Sequence, residues 1–252
     1  MMTTCIVIPF YNHAGAIAHV VDALRPLGLP CRIVDDGSDA QAQQVLVQIS
    51  SSESWVTVQH LPQNGGKGSA VMVGCEAALA EGFTHALQID ADGQHDVADA
   101  ARLLDHSRHN PAAMVSGEAV FDSSAPRSRR YGRYLTHAWV WINTLSFEIK
   151  DSMCGLRVYP LAATCAIWRK HRIDRRMAFD TEIMVRLSWS GVRIIAVPTR
   201  VTYPRDGVSH FRMLDDNVHI SWMHTRLFFG MLRRAPMLLF RRVAQRSPKV
   251  VA

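Results

Sequence analysis

Several things are missing or scarce in this chain, and each absence narrows the reading. No C-x-x-C pair occurs; the five cysteines (Cys5, Cys31, Cys75, Cys154 and Cys165) are scattered and odd in number, which disfavours a zinc site or a disulfide framework and suits a reducing compartment. No uncharged apolar run approaches the ~18 residues of a spanning helix, and the first residues enter a strand pattern without a basic leader, so neither export nor membrane integration is expected. Internal repeats and low-complexity stretches are absent as well. An ordinary charged fraction of 20% beside 48% hydrophobic residues excludes a disordered chain.

What is present is enough sequence, 252 residues, to bury one full-sized core, and a surplus of cations giving +6. The surplus gathers in two places: Arg127, Arg129, Arg130 and Arg133, and a tail holding Arg226, Arg233, Arg234, Arg241, Arg242 and Arg246. No recognised nucleic-acid motif accompanies it, so no nucleic-acid partner is expected.

Short apolar runs alternate with helical patterns through the first third: strands at 5–8, 32–34 and 56–59, helices at 16–24 and 40–49. That alternation predicts βαβ units and an α/β fold with a mostly parallel sheet. A glycine-rich turn (Gly65, Gly66, Gly68) opens a helix to about Ala80, and a strand at 86–89 ends in Asp90. A helix is predicted over 97–109, a short strand over 114–116, and an aromatic helix over 134–149, whose Trp139, Trp141, Leu145 and Phe147 suit core packing or lipid contact. Further strands are predicted at 155–159, 193–197 and 200–203, the last two broken by Pro198. The domain is expected to span 1–211. Residues 212–252 read as a helical, amphipathic tail of interfacial type, kinked at Pro236.

Asp90-Ala91-Asp92 puts two carboxylates just past a buried strand, where both can face one cleft and offer hard oxygens to Mg²⁺ or Mn²⁺; Gln94 can add a carbonyl oxygen. Solvated loop carboxylates would give the same spacing. Context favours a site, because Pro9-Phe10-Tyr11-Asn12, Asp35-Asp36-Gly37-Ser38 and Asn64-Gly65-Gly66-Lys67-Gly68 all fall at strand ends or helix starts on the same predicted edge. Lys67 is followed by Gly68, which excludes a Walker A loop.

Taken in order, PFYN at 9–12, VDDGSD at 34–39, NGGKGSA at 64–70, DADGQH at 90–95, DSMCGLR at 151–157 and FDTE at 179–182 resemble family 2 glycosyltransferases of GT-A fold, especially the dolichyl- or polyprenyl-phosphate sugar synthase branch. The resemblance implies a Rossmann-like GT-A sheet and inverting transfer from a UDP- or GDP-linked sugar. It also implies that Pro9 and Tyr11 lie against the nucleoside, that Asp36 hydrogen-bonds it, and that Lys67 and His210 lie at the donor. Asp90, Asp92 and Gln94 would hold the metal, and Asp92 would act in catalysis. Asp180, with Glu182 on the same helix start, matches the family's base position; Asp180 could equally cap that helix.

Arg127, Arg130 and Arg133 fit an anion site for the acceptor's phosphate, and Arg157 the acceptor side of the cleft. Departures from the pattern are Gly117-Glu118-Ala119 where such synthases commonly carry an arginine, and His13 where a glutamate is frequent. The expected acceptor is a lipid, either polyprenyl phosphate or a lipid or polyene hydroxyl. The expected location is cytoplasmic, peripheral on the inner face of an anionic membrane. The rivals are a sugar nucleotidyltransferase and a non-catalytic, membrane-docked nucleotide-binding protein.

Overall fold

The computed structural model describes residues 1–121, 127–201 and 213–246. Seven strands form one sheet in the order β3-β2-β1-β4-β6-β5-β7. They are β1 (Thr4–Phe10), β2 (Cys31–Asp35), β3 (Val56–His60), β4 (His85–Gln88), β5 (Met114–Phe121), β6 (Arg157–Pro160) and β7 (Ile194–Val201). β1 to β4 are parallel, as the alternating pattern predicts, whereas β6 runs antiparallel to both β4 and β5. The result is an α/β GT-A fold whose sheet is mostly parallel and mixed at β6.

Helices α1 (Ala14–Leu24), α2 (Ala40–Ser52), α3 (Lys67–Ala80) and α4 (Val97–His109) cross over between the early strands. Asp39 and Asp96 cap α2 and α4, accepting from the N–H groups of Ala42 and Ala98, which stops each helix where its first turn would leave donors unpaired. One core layer is built from Ile6, Ile8, Ile17, Leu46 and Leu103, and a second on the opposite sheet face from Val7, Met72, Tyr159, Phe179 and Leu187. Gly74 lets α3 lie against β1, since a Cβ there would meet Val7 Cγ1 at 2.5 Å.

Three boundaries differ from the sequence pattern. The strand expected at 193–197 and the described part of the one expected at 200–203 are one strand, β7, continuous through Pro198, with residues 202 and 203 outside the described residues. β7 lies at an edge of the sheet, and among the described residues it pairs along its length with β5, apart from one isolated bridge between Val201 and His95, so the missing proline N–H can be tolerated there. α5 (Arg127–Thr144) begins earlier and ends sooner than predicted, and Leu145 follows with φ 49°. β5 extends to Phe121 because it pairs with β7 along its whole length.

α6 (Leu161–Lys170) and α7 (Phe179–Ser190) precede β7, and α8 (Met213–Arg246) is a single helix through Pro236. α8 packs on α5 and α7 and buries Met223, Leu227, Met231 and Leu238 in the second core layer. Its other face leaves Trp222, Phe229, Leu239, Phe240 and Val243 exposed. The expected boundary at 211/212 lies outside the described residues. Among the described residues, no helix is long and apolar enough to cross a membrane.

Candidate active site

β2 and β3 lie to one side of β1 and β4 to the other, so the strand order reverses between β1 and β4 and opens a crevice at their carboxyl ends. Pro9 sits at that opening. β4 makes its last pair, Gln88, with Val7, so the absent Pro9 N–H removes no ladder bond and the crevice starts at its ring.

The loops beyond β1 and β2 interlock. Asn12, at φ 55°, receives a hydrogen bond on its side-chain oxygen from Asp39 N–H at 2.9 Å and donates its own N–H to Ser38 Oγ at 3.0 Å. Asp35 accepts from Ser38 N–H and pairs with His60 Nδ1 at 2.8 Å. Asp36, almost fully buried, accepts from Gly65 N–H at 2.8 Å and Gly66 N–H at 2.7 Å. Burial raises its pKa, and the two amide donors work against that rise. In this structure Asp36 thus holds the glycine turn before α3; Tyr11 stands half-buried beside the same crevice.

At the crevice floor Lys67 Nζ joins two carboxylates, Asp90 at 2.8 Å and Asp180 at 2.9 Å. Burial opposes the lysine's charge, but Asp180 and Asp90 outweigh it and hold the ammonium well above its ordinary pKa. Burial likewise opposes ionisation of Asp90, and Lys67 with His95 more than offsets it, so that carboxyl stays below its usual range. Asp92 shifts upward, first through burial and then through the charge of Asp90. Its Oδ1 accepts from Gln94 N–H at 3.0 Å, which folds the loop back and brings Gln94 and His95 alongside. Among the described residues, His95 Nδ1 is buried without a hydrogen-bond partner.

Beneath Asp180 lies Arg157. Expected on the acceptor side, it is instead fully buried, donating to the carbonyls of Ser152, Cys154 and Asp180 at 2.7–2.8 Å, with Asp180 Oδ1 at 3.2 Å. With its donors committed to these groups, it reaches the cleft only through Asp180. Glu182, expected beside Asp180, faces elsewhere: two helical residues are separated by about 200° of rotation, so both cannot line one cleft. Its fully buried carboxylate accepts from Asp174 N–H, Arg186 and Arg226 at 2.7–3.0 Å.

On the far side, Arg133 pairs with Asp151 at 2.5 Å, and Asp151 also accepts from the N–H groups of Ala119 and Met153. Burial resists its charge, but His137 and Arg133 hold its carboxyl well below the usual range. The side chains of Arg127 and Arg130, and all of His210, lie outside the described residues.

Some supporting residues carry little sequence signal. Gln88, inside an apolar strand, donates to Asp90 Oδ1 at 3.3 Å and accepts from Tyr159 Oη at 2.9 Å. A polar side chain within that apolar run was the available clue. Gly155 presses its Cα face on the Asp90 carboxylate, leaving no space for a Cβ.

Fold and site together define a GT-A-type α/β protein with an acidic cluster at its topological switch point. A family model for glycosyl transferase family 2 matches residues 5–175, and the chain belongs to that family. Among curated proteins it is similar to glycosyltransferase AglJ of Haloferax volcanii, 27% identical over 80% of this chain and 63% of the relative. It is also similar to a polyprenol monophosphomannose synthase of Mycolicibacterium smegmatis, 25% identical over 82% of this chain and 80% of the relative. The chain spans about half of the dolichyl-phosphate beta-glucosyltransferase ALG5D of Trichomonas vaginalis, 48% of its length, at 25% identity over 61% of this chain. Among solved structures, glucosyl-3-phosphoglycerate synthase from Mycobacterium tuberculosis superposes with a TM-score of 0.65 at 15% identity, over 91% of this chain and 80% of that one, which shows the shared fold.

Proposed function

We propose that this chain transfers a sugar, with inversion, from a UDP- or GDP-linked donor to a lipid-type acceptor at a membrane surface. The observation that carries the reading is the Lys67 bridge between Asp90 and Asp180, with Asp92 adjacent, at the carboxyl end of β4. Donor transfer is supported by family membership, and the lipid acceptor by relatives named for dolichyl- and polyprenyl-phosphate chemistry.

The residues fit a divalent metal of Mg²⁺ or Mn²⁺ type. Asp92 and Asp90 crowd two carboxylates together, and the unpartnered His95 Nδ1 stands nearby. Among the described residues no group of three His, Cys, Asp or Glu side chains could enclose an ion alone. An open site of Asp90, Asp92 and Gln94, completed by donor phosphates, is how such hard cations are commonly held. The ion would neutralise charge developing on the departing nucleoside diphosphate. Glucosyl-3-phosphoglycerate synthase from M. tuberculosis has been solved with Mn²⁺ and UDP-glucose, and that precedent supports the choice.

By resemblance, Pro9, Tyr11 and Asp36 are assigned to the nucleoside and His210 to the diphosphate, Asp36 acting from a carboxylate that also holds the Gly65 and Gly66 N–H groups. Lys67 keeps Asp90 ionised and aimed into the crevice. Asp180, gripped by Lys67 and Arg157, is a fixed anion at the acceptor side. An ionised phosphate acceptor needs no base, whereas a hydroxyl would require Asp180 to accept its proton. Arg127, Arg130 and Arg133 are assigned to an acceptor phosphate by their clustering in the sequence, Arg133 while paired with Asp151. The exposed Trp222, Phe229 and Phe240 on α8 support peripheral attachment to the inner, cytoplasmic face of a membrane.

The deciding experiment is calorimetric titration of UDP and GDP, with and without Mn²⁺, into wild type and Asp92→Ala, followed by transfer assays with polyprenyl phosphate and with 3-phosphoglycerate. Metal-dependent binding lost in the variant, with turnover on the lipid, is expected. Turnover confined to phosphoglycerate would overturn the lipid assignment while keeping the donor site.

A further inference from the structure

The segment 171–178, between α6 and α7, separates two different surfaces. On one side it covers the start of α3: Arg175 C=O accepts from Ser69 N–H at 3.2 Å, and a Cβ on Gly66 would strike that carbonyl. On the other it forms, with α6 and α8, a cleft of about 620 Å³ that shares none of Asp36, Lys67, Asp90, Asp92 or Asp180. Its walls carry Trp168, Trp222 and the cations Arg172, Arg175 and Arg226, against one acid, Asp174.

The charges around this cleft are unbalanced. Both oxygens of Glu182 are already committed to Asp174 N–H, Arg186 and Arg226, and Asp174 Oδ1 accepts from Arg176 N–H. The side chains of Arg172 and Arg175 are exposed and, among the described residues, have no ion-pair partner. Arg226 itself donates to Glu182 Oε2 and to the Arg172 C=O, and among the described residues its buried Nε has no acceptor. Cations held together in a partly dehydrated cleft repel one another unless an anion enters, and guanidinium groups match the oxygens of a phosphate. The mouth is apolar as well as basic, since Trp222 is 61% exposed on the face of α8 that also presents Phe229.

We propose that this cleft is a phosphate-binding site, separate from the transfer site, shaped for a phosphate carried on an apolar group. Arg172 and Arg175 grip the phosphate from the loop, Arg226, held by Glu182 and the Arg172 C=O, adds only its charge from α8, and Trp168 and Trp222 flank the carrier. A phospholipid headgroup and a free phosphate offer the same chemistry, and the test separates them.

Wild type, R172A/R175A and R172K/R175K are compared for binding to vesicles of phosphatidylcholine alone and of phosphatidylcholine with phosphatidylglycerol, and for inorganic phosphate by calorimetry. At about a factor of five per arginine near an anionic surface, R172A/R175A should bind the anionic vesicles roughly 30-fold more weakly. Its binding to pure phosphatidylcholine should be unchanged, because that measures the apolar face of α8. R172K/R175K should restore only part, since lysine keeps charge and loses the fork. Loss of inorganic phosphate binding in R172A/R175A would support the same site with a soluble ligand. Wild-type behaviour of R172A/R175A on vesicles and phosphate alike overturns the site. Full restoration by the lysines overturns it too, leaving only diffuse attraction. UDP or GDP binding in the same variants stays at the wild-type level, so failure here is distinguishable from failure of the transfer reading.

Discussion

Gly155 and Asp90 touch where no side chain could stand between them: a Cβ built on Gly155 falls inside the Asp90 carboxylate. The backbone of the loop leading into β6 therefore sets the position of the first acid of Asp90-Ala91-Asp92. Gly155→Ala must move that carboxylate or its own loop. Because a misplacement of about 1 Å can reduce turnover roughly 100-fold, the expected result is a kcat reduced by about that factor in a folded protein. Turnover assays beside circular dichroism would check it, and unchanged kcat would show that the loop yields freely.

Removing the shared cation at the crevice floor leaves two carboxylates facing each other. Lys67→Met should destabilise the fold by about 3–5 kcal/mol, the usual penalty for stranding a buried charge. Adding Asp180→Asn should recover at least ~1 kcal/mol, because one stranded charge disappears. Urea unfolding of the single and double variants measures this, and strict additivity would contradict the shared bridge.

Arg157→Leu should destabilise by a similar amount, about 3–5 kcal/mol, for a different reason. The substitution strands the carbonyls of Ser152, Cys154 and Asp180 as well as one side of Asp180's charge. Thermal unfolding is the readout. A variant with native stability but poor acceptor KM would instead return Arg157 to the acceptor site.

His224, on α8, packs against α5, stacked on Trp139 with ring centroids 5.9 Å apart and beside Asn143. Burial lowers its pKa to about 4. The unfolded chain binds a proton near the ordinary value of about 6.5, so between these values the unfolded state holds more protons and stability falls as pH drops. The loss should accumulate from about pH 6.5 down to about pH 4, reach roughly 3 kcal/mol, and level off below. His224→Phe should flatten this part of the curve in denaturant titrations across pH; an unaltered slope would assign it to other groups.

The first half of the fold was readable because each motif there is contiguous and ends a strand: the acids, the glycine turn and the helix caps occupy neighbouring positions in sequence and in space. The later half depends on relationships without a local pattern. Arg157 invites a surface reading because arginines are seldom buried, and its partners are backbone carbonyls, which leave no mark in a sequence. Glu182 shares a motif with Asp180, yet helical geometry separates them. Pro198 suggested a break because the edge position of β7 is a tertiary fact. α8 showed its amphipathic character plainly, but its contribution of Met223, Leu227 and Met231 to the core depends on α7, which periodicity alone cannot pair with it.

The antiparallel β6 governs how the molecule can be made. β4 lies between β1, which leaves the ribosome long before it, and β6, which is synthesised about seventy residues after it. Throughout that interval the strand leading to Asp90 is a bare edge, with the apolar Ala86 and Leu87 and open backbone donors available to any passing strand. A nascent chain stalled or cut before Arg157 would keep that edge indefinitely. The arrival of Arg157–Pro160 thus covers that edge and removes an open template for aggregation.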